Sequence, residues 1–135
     1  MAQPVDIAAW IILFMGLYSL AASIGEWRTP GVWAGMLADF ERSPGLRFLT
    51  GFFVLSLGAA IYLVNPWRPD DWLSTLVTIL GGVMALEGAV ILAMGDRFLG
   101  FARWLIGRAS RAWALFSALL GIALIAAAFL RFETA

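Results

Sequence analysis

Four stretches of the chain are almost unbroken apolar sequence: Ile7 to Gly25, Phe48 to Trp67, Trp72 to Gly95 and Ala112 to Leu130. Each is close to the length a helix needs, at about 1.5 Å of rise per residue, to cross a hydrocarbon core roughly 30 Å thick. Inside lipid a backbone amide finds no water, so such a run must satisfy its own hydrogen bonds as a helix. The alternation of polar and apolar positions that marks barrel strands is missing. The pattern predicts an all-α integral membrane protein with four transmembrane helices, forming a single membrane domain over residues 1–135.

The connections carry a second pattern. Between the first two spans, Val32, Trp33, Met36, Leu37 and Phe40 recur at helical spacing, with Glu41 and Arg42 elsewhere on the wheel. After the third span, Phe98, Ala102, Leu105 and Ile106 form an apolar side, while Arg97, Arg108 and Arg111 project from another. Both segments predict short helices lying in the cytoplasmic interface. The middle connection, Asn65 to Asp71, is instead a tight turn built on Asn65, Pro66 and Pro69. This arrangement predicts two tandem hairpins, about 5–66 and about 70–132. Displacing the chain by 65 residues sets Asp6 on Asp71, Gly16 on Gly81 and Gly35 on Gly100. The order helix, amphipathic segment, helix repeats at that offset, which reads as a parallel duplication and not an inverted one.

Composition sharpens the picture. With 62% hydrophobic against 13% charged residues, a water-soluble domain is excluded. Nine acidic residues balance nine basic ones, all arginine, so there is no basic surface for nucleic acid, which is not expected as a partner. The chain has neither Cys nor His, and with them go disulfides, thiolate and imidazole ligands; no metal or cofactor site is expected. The first span resembles a signal peptide at Leu20 to Ser23, but the segment Met1 to Asp6 has no basic residue and carries Asp6, so it reads as a retained helix. Basic loops resist translocation. Arg28, Arg42, Arg47, Arg97, Arg103, Arg108 and Arg111 flank the two long connections, against only Arg68 and Arg131 opposite, which directs both termini and the tight turn away from the cytoplasm. Trp27, Trp67, Trp72 and Trp113 mark the borders, where an indole keeps its ring in lipid and its N–H among headgroups.

Glu87 is the one ionisable residue well inside a predicted span, where a charge costs at least a few kcal/mol. Its depth, past the midplane, suggests Arg47 at the start of the second span as its partner. On the wheel of the third span, Ser74, Thr78, Gly81, Gly82, Ala85 and Ala89 gather on one side, which permits close helix contact. Glu87 shares the other side with Leu80, Val83, Met84, Ile91 and Met94. It reads as a structural contact within the monomer, a contact with a partner subunit or second copy, or a coupling group for a proton or substrate. Arg97, Arg108 and Arg111 read either as a linker face that holds basic residues at the inner border or as a contact for anionic lipid headgroups. Ala21/Gly25 and Ser117/Gly121 are spacings suited to packing. Asp70 and Asp71 form a carboxylate pair that would suit a hard cation, but beside Arg68 they more simply end the turn. Ser19, Ser23, Ser56 and Ser117 lie in spans with no histidine, and no phosphate loop or intramembrane acid pair exists, so no catalytic residues and no enzymatic activity are expected.

The stretch Leu73 to Met94, LSTLVTILGGVMALEGAVILAM, with its Leu86, Glu87, Gly88 triplet and following arginine-bearing segment, resembles small uncharacterised bacterial inner-membrane proteins built as one helix-loop-helix hairpin with a Leu-Glu-Gly ending. The resemblance covers the second half; in the first, Ala21, Ala22 and Ser23 stand where the triplet would fall. In size and hydropathy the chain is also similar to DoxX-like four-helix membrane proteins. These likenesses imply a bacterial inner membrane and no established activity; in such a membrane the arginine bias puts both termini on the periplasmic side. The expected role is that of a noncatalytic accessory, scaffolding or assembly subunit, partnered by the bilayer and by other membrane subunits or copies of itself. The alternative is a small oligomeric transporter or channel with Glu87 as coupling group.

Overall fold

A computed structural model describes residues 5–134. Part of the segment Met1 to Asp6, residues 1–4, and residue 135 lie outside the described residues. Among the described residues every regular element is a helix: α1 (Ile7–Arg28), α2 (Val32–Arg42), α3 (Pro44–Val64), α4 (Trp72–Arg108) and α5 (Ser110–Thr134). Four of these, α1, α3, α4 and α5, are long and apolar enough to cross a membrane. The helix starts are set by side chains that accept from otherwise orphaned amides. Asp6 accepts from the Ala9 N–H at 3.2 Å, Ser43 from that of Leu46 at 3.2 Å, and Asp71 from that of Leu73 at 3.1 Å. Pro44 opens α3, where its missing N–H costs nothing.

The two amphipathic connections take different forms. The first becomes α2, a separate helix set off from α1 by Thr29, Pro30 and Gly31, with Gly31 left-handed at φ 93°. The second is not separate: α4 runs on through a break at Met94 (φ −147°, ψ 46°), so its apolar span continues into an arm that ends at Arg108.

The closest packing does not run within each consecutive hairpin. It runs between α3 and α4, and between α1 and α5. The short turn over residues 65–71 forces α3 and α4 together as antiparallel neighbours, while α2 and the α4 arm spread the spans they join. The remaining two spans then close on each other. Each pair is sealed where glycine brings backbone onto backbone. A Cβ on Gly58 would stand 2.7 Å from the carbonyl oxygen of Gly81, and one on Gly88 equally close to that of Gly51. In the other pair, a Cβ on Gly16 would lie 2.8 Å from the Gly121 oxygen and one on Gly121 would lie 2.7 Å from the Gly16 oxygen. Nearby, the Ser117 hydroxyl donates to the Ser19 carbonyl at 2.9 Å. The small side expected of the third span is therefore real at Ser74 and Gly81, which are buried, but the seam turns through Gly88 and not through Ala89, which is exposed. Gly25, in contrast, faces open space.

The two pairs meet at the end that holds the 65–71 turn. There Ala8, Ala9 and Ile12 of α1, Ile61 of α3, Leu73 and Val77 of α4 and Ala128 of α5 form the apolar core. Away from it the helices are sparsely covered: between 17% and 28% of the residues in each span's most apolar stretch are buried, so most of the spanning surface is left for lipid or other protein.

A side chain at Gly88 must push α3 and α4 apart. Gly88→Val is expected to destabilise the protein by about 3 kcal/mol, as overpacking does, while Gly25→Ala changes it by less than about 0.5 kcal/mol. Equilibrium unfolding in mixed micelles, followed by tryptophan fluorescence, measures both.

Candidate functional site

The polar groups of this protein lie mainly at the two ends of the helix bundle, and each cluster can be built from helix termini. At the end with the 65–71 turn, Arg131 in the last turn of α5 faces the first turns of two other helices. Its guanidinium donates to both carboxylate oxygens of Asp71, Nη1 at 2.9 Å and Nη2 at 2.7 Å, and its Nε lies 3.4 Å from Asp6. Both aspartates are also N-caps, so one cation at a helix C-terminus joins two anions at helix N-termini, the favourable sense for all three helix dipoles. The Arg131 hydrogen bonds, aided by the Leu73 amide, hold the Asp71 carboxyl well below the usual carboxylate range, at about 2, against some desolvation. Asp71 is thus committed to Arg131, 60 residues away, and is no longer half of a cation site with Asp70.

Beside this clasp, the Asn65 amide nitrogen donates to the Ser74 carbonyl and to the Thr78 hydroxyl, each at 2.9 Å. Ser74 in turn donates to the Pro66 carbonyl at 2.5 Å and accepts from the Arg68 N–H at 2.9 Å. The turn is therefore closed by side chains of the helix that follows it. The Asn65 Oδ1 is buried and has no hydrogen-bond partner among the described residues.

At the other end the organising residue is Glu26, which lies just beyond the first apolar run. It is 3% exposed, and its carboxylate accepts from the Gly31 N–H at 2.9 and 3.1 Å and from the Trp33 N–H at 3.2 Å. Gly31 offers α2 no side-chain cap, so Glu26 supplies one from the end of α1. The Trp33 indole donates to the Ala22 carbonyl at 3.2 Å and fixes the same junction. Glu41 near the end of α2 accepts a charge-assisted contact from Arg103 Nε at 2.8 Å, tying α2 to the α4 arm. The sequence signal for Glu26 is an acidic residue five positions before a glycine N-cap, and hydropathy alone does not reveal it because Glu26 falls one residue past the apolar run.

The Arg47–Glu87 pair expected from sequence does not form. Arg47 donates to the Phe40 carbonyl at 3.4 Å and to that of Glu41, where the last carbonyls of α2 lack intrahelical partners. Its stem lies along Gly95, whose Cβ would meet Arg47 Cδ at 3.2 Å. Gly95 is eight residues beyond Glu87, about 12 Å of helix rise. Glu87 itself is exposed on the surface of α4 and, among the described residues, makes no hydrogen bond or ion pair. Of its neighbours on that face, Val83 and Met94 are exposed too, while Ile91 is buried. Arg97, Arg108 and Arg111 are all exposed at the arginine-rich end. The Arg108 guanidinium carbon lies over the Trp104 ring, 5.2 Å from its centroid, and that of Arg111 over Trp27, 5.9 Å from its centroid.

No family model matches the chain, and neither a curated protein nor a solved structure matches it.

Two outcomes follow from the clasp and the cap. Because the folded Asp71 carboxyl titrates below its ordinary value of 3.8, its contribution is complete above about pH 4 and is lost as pH falls through about 2. Asp71→Asn should cost about 1–2 kcal/mol near neutrality, allowing for partial exposure, and should flatten the acid limb of a stability-against-pH curve. Glu26→Ala should cost about 1–2 kcal/mol and raise amide exchange at Gly31 and Trp33, read by hydrogen exchange.

Proposed function

We propose that this chain is a noncatalytic subunit of a larger membrane complex, an accessory, scaffolding or assembly component that works through helix-helix contacts. The observation that carries this reading is Glu87: a carboxylate in the middle of a membrane-spanning helix, exposed, and without a partner among the described residues. Left against acyl chains it would cost on the order of 3 kcal/mol, a cost that a donor on a neighbouring helix removes. The chain's other resources are committed. Its glycine seams are consumed inside the α1/α5 and α3/α4 pairs, which leaves the outer faces of those pairs as the contact surface. On this reading the protein sits in a bacterial inner membrane with both termini on the periplasmic side, as the arginine bias and the Leu86-Glu87-Gly88 resemblance suggest. The neighbour is another membrane subunit or a second copy of the chain.

Native electrophoresis after mild solubilisation tests this. The wild-type protein should migrate in an assembly, and Glu87→Leu should release a folded monomer with unchanged helical content. A wild-type protein that runs as a lone monomer, or an assembly indifferent to Glu87→Leu, would sink the proposal.

A further inference from the structure

We propose that the corner between α4 and α5 is a binding site for the phosphate of an anionic lipid headgroup, formed by Arg108 and Arg111 lying over the exposed indoles of Trp104 and Trp27. The arginines of this end are not equivalent. Arg103 is neutralised by Glu41 and Arg42 by Asp39, while Arg47 is spent on the carbonyls closing α2. Arg97 is exposed and makes no ion pair among the described residues, but unlike Arg108 and Arg111 it lies over no indole. Arg108 and Arg111 have no carboxylate partner among the described residues, and only Ala109 and Ser110 separate them where α4 stops and α5 begins. Glu26, next in sequence to Trp27, cannot neutralise Arg111, because its carboxylate is occupied by the Gly31 and Trp33 amides.

The geometry suits phosphate. A guanidinium held over an indole, its carbon 5.2 Å from the Trp104 centroid for Arg108 and 5.9 Å from that of Trp27 for Arg111, is less free than an unattached side chain and so binds a phosphate with less ordering cost. The location selects lipid as the source. Trp27 closes the α1 span, 47% exposed, and Trp104, 54% exposed, lies on the arm beyond the α4 break, so both indoles stand where headgroups meet acyl chains. Arg28, exposed beside Trp27, adds positive field. The site draws on three helices and stands apart from Glu87, so it is independent of the subunit reading.

The full-length protein, reconstituted in nanodiscs of phosphatidylcholine with phosphatidylglycerol at about one part in four, should retain phosphatidylglycerol preferentially when extracted into detergent and weighed by native mass spectrometry. Retention should fall roughly fivefold for Arg108→Gln or Arg111→Gln and on the order of 25-fold for both together. Arg97→Gln should leave it near wild type. Trp27→Leu with Trp104→Leu keeps every charge but removes the indole platforms, and should also lower retention; circular dichroism verifies that each variant remains helical. Equal retention of the two lipids by the wild type, or an undiminished preference in the Arg108/Arg111 variant or in the double tryptophan variant, overturns the proposal. Displacement of the lipid by millimolar inorganic phosphate would identify a soluble ion as the ligand and overturn it as well.

Discussion

In a bilayer, one helix gains nothing from hiding leucine against another, because the surrounding acyl chains are as apolar as the leucine. That constraint shapes the whole molecule. What remains to hold helices together is close backbone contact and polar bonds made where water has thinned. This chain uses the first along its spans and the second at their ends. Gly58 with Gly81, Gly51 with Gly88 and Gly16 with Gly121 bring backbones to distances that no side chain permits. The resulting pairs are then joined to each other mainly at their ends: by Arg131 with Asp6 and Asp71 beside the small apolar core, and by α2 with Glu26 and Glu41 at the arginine-rich end.

The four spans and the amphipathic character of both connections were legible because hydropathy over about 20 residues and helical periodicity are local properties. The choice of partner for each span was not. A wheel shows that Gly81 lies on a small face but not whose backbone will meet it, and the answer came from loop length, since a turn of residues 65–71 leaves α3 and α4 no alternative to adjacency. Nor was the Arg131–Asp71 pair legible, because its members are 60 residues apart and each has acidic or basic neighbours of equal sequence merit. The expected pairing of Arg47 with Glu87 failed for a local reason: the unsatisfied carbonyls at the end of α2 lie closer to Arg47 than Glu87 does and compete for the same donors.

Three glutamates show how environment separates identical side chains. Glu26 is buried and satisfied by amides of a helix N-terminus, which supply partial positive charge without a counter-ion. Glu41 is partly covered and answered by Arg103. Glu87 has neither amides nor a guanidinium, because α4 passes it without interruption and every amide around it belongs to the helical ladder. A carboxylate within a regular helical stretch can be satisfied only by something that approaches from the side, and among the described residues nothing does.

The 65-residue offset gains physical content at the helix starts and loses it in the connections. Asp6 and Asp71 are equivalent under it, and both cap a span and both reach the same guanidinium. Glu26, however, falls on Ile91, a buried apolar residue. The difference tracks the backbone. In the first half the chain stops at Thr29 and restarts at Val32, which orphans the first amides of α2 and requires an acceptor at their level. In the second half the chain kinks at Met94 with no intervening loop, and position 91 is packed as a buried isoleucine. The half that interrupts its helix with a loop carries an anion at this position, and the half that only kinks carries a buried isoleucine.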